Sequence, residues 1–177
     1  MIADPGRRGE SLASFYHAVA PRLWRDVTES GTLPAFATDE AEAGAEREWE
    51  CFALYACVRG LVAAGGFNRE TAIAIDAMHD RVLGAWRDEP EGAESHDQRR
   101  ARVSERYAEY GEIGQEGGAS GAATVGERLG AACARHVEAM GPASSATPER
   151  RVKLASLLGD LHESIAAGAA DAVRLSE

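Results

Sequence analysis

Residues 51–64 read CFALYACVRGLVAA, apolar at almost every position and interrupted by one charge, Arg59. A helix that is hydrophobic all round cannot face water and is enclosed by other helices. The segment therefore predicts an all-α protein, an irregular bundle of about six helices around this central apolar helix.

Working outward, the same helix extends back to Asp39 through an acidic half made of Asp39, Glu40, Glu42, Glu46, Glu48 and Glu50. Negative charge there complements the positive end of the helix macrodipole. Gly65-Gly66 is a C-terminal stop, and Asn68 is an N-cap for a third helix over 69–88, with Ile75, Met78, Val82 and Trp86 on its inner stripe. The short GGFN link predicts that the second and third helices pair as a hairpin. The first helix is read from Ser11, with Leu12, Phe15, Tyr16, Val19, Leu23 and Val27 on one face. Pro21 removes a backbone donor and crowds the preceding turn, so a kink is expected there. Residues 1–10 are expected to form a flexible tail and 11–177 a single helical domain.

Three further helices follow, over 97–113, 122–140 and 148–175, separated by loops at Glu89–His96, Gly114–Ser120 and Gly141–Thr147. The last carries a heptad-like seam of Leu154, Leu158, Leu161, Ile165, Gly168, Ala172 and Leu175. Leu154, Leu158, Leu161, Ile165 and Leu175 are the interface candidates if that seam meets a second copy or a partner; otherwise it packs in an internal groove.

The formal net charge of −10 excludes nucleic acid and anionic membranes as natural partners, because both attract clustered Lys and Arg. Arg59 breaks the longest apolar run, which is too short to cross a bilayer. The opening MIADPGRRGESL lacks the apolar core of a signal peptide. Cys51, Cys57 and Cys133 are odd in number and contain no CxxC pair, so a reducing, cytoplasmic setting is expected. Of 19 basic residues only Lys153 is a lysine, which matches the codon bias of a high-GC bacterial genome.

No motif specifies a reaction or implies a cofactor. Arg59 admits two readings. Its stem can lie buried with its head reaching solvent, or its guanidinium can hold an anion in a bundle cavity, with Gly60 permitting close approach. The second reading gives a ligand pocket near Arg59, Tyr55, His17 and Trp49. Asp76, His79 and Asp80 share a face and could hold a metal, but no facing Glu-x-x-His motif completes a set, so a solvated face is expected. Cys133 and His136 lie one turn apart, yet Cys133 falls on the apolar stripe and reads as a buried, inert thiol. His96 is expected in a solvated loop, and His162 near the seam, where it could titrate. Arg99, Arg100, Arg102 and Arg106 surround Tyr107 and Tyr110, but Glu105, Glu109 and Glu112 are expected to pair with them along the helix. The stretch GQEGGASG lacks the GK[ST] ending of a phosphate loop.

Two functions are compatible with this reading. One is a non-catalytic protein-interaction or adaptor domain, acting as a homodimer or on a basic partner through its acidic surface. The other is a helical bundle or enzyme that binds a small anion in a pocket near Arg59.

Overall fold

The computed structural model describes residues 4–88, 94–115, 124–142 and 147–174. They form α1 (Pro5–Glu29), α2 (Asp39–Gly65), α3 (Arg69–Asp88), α4 (His96–Gln115), α5 (Val125–Ala139) and α6 (Pro148–Arg174), and no strand occurs among them. The chain is an all-α protein whose helices pack against one another. Most of the three expected loops, and Leu175 of the seam, lie outside the described residues.

The helix ends follow from local chemistry. The Asp4 carboxylate accepts the Gly6 amide at 3.0 Å and Pro5 occupies the first turn. This pairing starts α1 six residues before Ser11, so residues 5–10 are helix and not tail, and Gly9 packs beneath Ala74 and Met78 of α3. α1 continues as one helix through Pro21. Thr38 caps α2, and Asn68 accepts the Thr71 amide at 3.0 Å to cap α3. α4 and α5 each open with a capping box, Ser95 with Gln98 and Thr124 with Glu127. Gly66 closes α2 at φ 74°, a left-handed conformation that glycine enters without strain.

α2 is the one helix that packs against each of the other five among the described residues. Its apolar run is buried at Cys51, Phe52, Ala53, Leu54, Ala56, Cys57 and Leu61. α6 lies along both α2 and α5. The α2–α3 hairpin is weaker than the sequence suggested, since α3 turns away after Asn68 and lies mainly along α1. Its buried stripe is Ala74, Met78, Val82 and Trp86, with Gly9 of α1 packed on Ala74 and Met78.

Close approach of backbones sets the spacing of α5 and α6. A Cβ built on Gly130 would stand 2.3 Å from the Ala155 carbonyl oxygen and 2.5 Å from the Gly159 nitrogen. Gly60 plays the same part between α2 and α6, where a Cβ would lie 2.2 Å from the Ala166 carbonyl oxygen. Neither neighbour is a side chain that can rotate away. Gly130→Ala is therefore expected to lower unfolding free energy by about 3 kcal/mol, the upper range for overpacking. Gly111→Ala, at a helical position open on all sides, is expected to raise it by roughly 0.5–1 kcal/mol. Urea unfolding midpoints of the two variants check the contrast.

Candidate functional site

Tyr55 and Arg59 are one turn apart on α2 and both reach the α6 residue His162. The Tyr55 and His162 ring centres are 6.2 Å apart, and Arg59 Nη1 lies 3.3 Å from His162 Nδ1. Arg59 also donates to Glu163 Oε1 at 3.2 Å. Its side chain is 30% exposed and that of Glu163 57%. The guanidinium thus sits at the rim of the α2–α6 contact with its head toward solvent. Tyr55 donates to the Tyr110 carbonyl at 3.0 Å. His162 is fully buried, and burial, reinforced by the Arg59 charge, pushes its pKa down to about 3. A guanidinium can only donate, so the neutral ring accepts at Nδ1 and carries its proton at Nε2.

The other two expected pocket residues lie elsewhere. Trp49 is buried, donates to the Ala20 carbonyl at 2.9 Å and stacks on Trp24 at 6.2 Å. His17 is on the exposed side of α1, edge-on to Tyr16 at 5.4 Å. Arg59 and Tyr55 are brought together, and His17 and Trp49 do not join them. Of the seam candidates, Leu154, Leu158 and Ile165 are buried within the chain and Leu161 is half-buried. Those side chains pack inside the bundle and leave little of the seam for a partner.

The remaining candidates are tied up locally. His79 Nε2 lies 2.8 Å from the Tyr107 hydroxyl. Burial lowers the His79 pKa. No group of three metal-ligating side chains occurs among the described residues. Cys133 is buried, and His136 pairs with Glu109 Oε2 at 2.6 Å. Burial pushes the Cys51 and Cys57 thiols up to about 12 and raises Cys133 well above the ordinary value.

A charged seam between α2 and α4 was not expected from the sequence. Glu48, grouped above with the acidic half of α2, has no solvent exposure. Its Oε2 accepts from Arg106 Nε at 2.6 Å, and its Oε1 accepts from Arg102 Nη1 at 2.6 Å and Arg106 Nη2 at 3.0 Å. Arg102 also holds Glu94, and Arg99 holds Glu50 at 2.7 Å while lying 4.1 Å from the Trp86 ring centre. Arg99, Arg102 and Arg106 of α4 therefore reach across to α2 and to Glu94. One signal for this was available. Glu48 continues the buried spacing of Ala45, Phe52 and Ala56, which places it on the inner face. An open groove follows this seam, lined by Arg47, Arg102, Arg106, Glu40, Glu94 and Glu105. A smaller hollow between α3 and α4 has Trp86 and Arg99 in its wall.

Burial alone would raise the Glu48 pKa, but the hydrogen bonds and charges of Arg106 and Arg102 outweigh it and hold the carboxyl below its ordinary value. Compared with protein-family models, curated proteins and solved structures, the chain matches none.

Two titrations make stability fall with acid. His162 binds its proton far more weakly folded than unfolded, so the penalty is absent above its unfolded pKa of about 6.5 and grows as pH falls toward its folded value. Glu48 contributes stability that is complete above its unfolded pKa of about 4.3 and is lost as pH falls through its lower folded pKa. Wild-type unfolding free energy is expected to drop by about 1.4 kcal/mol per pH unit between pH 6 and 4 from His162 alone. His162→Gln should flatten that limb and Glu48→Gln only the limb below it, as read from urea midpoints against pH. Alkylation is the check on the thiols: none of the three cysteines should label in the native protein and all three should label in urea.

Proposed function

We propose that this chain is a non-catalytic protein-interaction domain that recruits a basic partner through the outer face of α2. The observation that carries this reading is the exposed stripe Asp39, Glu42 and Glu46, spaced three and four residues apart and so aligned on one face. Glu48 and Glu50 turn inward to α4, which leaves the first turns of α2 as a rigid, capped and acidic surface. Such a surface speeds encounter with a positive partner and suppresses like-charged ones. The net charge of −10 supports the same partner chemistry. The thiols and His162 support the non-catalytic part, since burial holds them in forms that neither attack nor exchange protons near neutral pH. A dimer through the α6 seam is the weaker form of the reading, because most of that seam is buried internally.

The test is charge reversal with a matched control. Asp39→Lys/Glu42→Lys/Glu46→Lys should weaken binding of a deca-lysine peptide at least tenfold in calorimetry. Glu70→Lys/Asp76→Lys/Asp80→Lys changes the net charge equally on exposed positions of α3 and should weaken it far less. Equal losses would reduce the effect to overall charge and sink the reading.

A further inference from the structure

We propose that the α2–α4 groove is a binding site for a small carboxylate, and that Glu94 is its built-in occupant. Glu94 precedes α4 and is 11% exposed. Its Oε1 accepts from both Nε, at 3.0 Å, and Nη2 of Arg102. One edge of a guanidinium matches the two oxygens of a carboxylate side by side. Here both donors converge on one oxygen, so the edge is only half matched.

The other carboxylate oxygen of Glu94 faces Arg47. Glu94 Oε2 forms an ion pair with Arg47 Nε at 3.2 Å, yet both atoms are buried and their alignment completes a hydrogen bond for neither among the described residues. Buried donors and acceptors are nearly always paired, and an unmade bond costs stability. A tethered glutamate reaches this place without satisfying it. A free carboxylate, unconstrained by the chain, can set one oxygen on Arg47 Nε and spread both across the Arg102 edge.

The donors stay in place without Glu94. Arg102 is anchored from behind by the buried Glu48, which also holds Arg106, and Arg47 is held by Glu40 at 2.5 Å. A guanidinium positioned before the ligand arrives loses little freedom on binding it. Glu40 and Glu105 on the groove wall repel extra negative charge, so the site favours a singly charged carboxylate over a phosphate dianion. Because Glu94 competes from within, such a ligand binds weakly unless that residue is displaced.

The experiment uses full-length protein, titrated at constant ionic strength while the Nε–Hε signals of Arg47 and Arg102 are followed by NMR. The probes are propionate, N-acetyl-dialanine with a free carboxylate, and inorganic phosphate. Glu94→Ala, and the isosteric Glu94→Gln should the first fail to fold, is expected to bind propionate saturably and at least tenfold more tightly than wild type. Adding Arg47→Gln, which leaves the Glu48 anchor intact, should reverse that gain, and phosphate should bind more weakly than propionate. Tighter binding of the peptide than of propionate would assign the site to chain ends, and the reverse to a free metabolite. Absence of saturable binding in both Glu94 variants, or an unchanged affinity when Arg47 is replaced, overturns the proposal.

Discussion

One carboxylate with no access to water governs how α4 joins the rest of the molecule. An ionised glutamate in a helix core is strongly unfavourable alone, and Glu48 is tolerated because Arg102 and Arg106 complete its hydrogen bonds. α4 buries few large apolar side chains, Val103 and Tyr110 among them. Its attachment rests on this triad, on Arg99 with Glu50 and on Glu109 with His136. Removing one partner of such a set is more damaging than removing all of them, since it strands the others.

The two halves of the bundle are therefore held by different physics. α6 meets α2 at Gly60 and meets α5 at Gly130 and Gly159 through small residues and backbone contact, where dispersion and apolar burial act over short distances. α4 is held by directional charge pairs whose strength depends on solvent access and protonation. Both the groove and its internal occupant Glu94 fall on the second, polar boundary. The acidic stripe of α2 lies beside it on the same helix. Glu40, Glu48 and Glu50 take part in the seam, while Asp39, Glu42 and Glu46 face water.

Much of the architecture was legible in the chain. The helix from Asp39 through the apolar run to Ala64, its glycine stop, the Asn68 cap and the span of α3 follow from hydrophobic spacing and terminal chemistry, which act within a few residues. The early start of α1 is signalled only by the Asp4-Pro5 pair, because residues 5–10 carry no apolar stripe. The candidate site was far less legible. Tyr55 and Arg59 are one turn apart on one helix, so their shared approach to His162 follows from local spacing. His17 and Trp49 lie in different surroundings, one exposed on α1 and the other buried against Ala20.

By itself the sequence determined that the chain is helical, where most helices begin and end, and that its charge opposes nucleic acid. Those properties depend on local hydrogen bonding, on side-chain period and on composition. Only the tertiary structure decided which charges are solvated and which are buried. Glu46 and Glu48 stand two residues apart in the same acidic run, yet one is exposed and the other is sealed between two arginines more than fifty positions away. The angle around the helix axis separates them, and the docking of α4 on that inner face turns one carboxylate into a structural anchor. Local sequence does not encode where α4 lands, because its landing depends on all the helices packing at once.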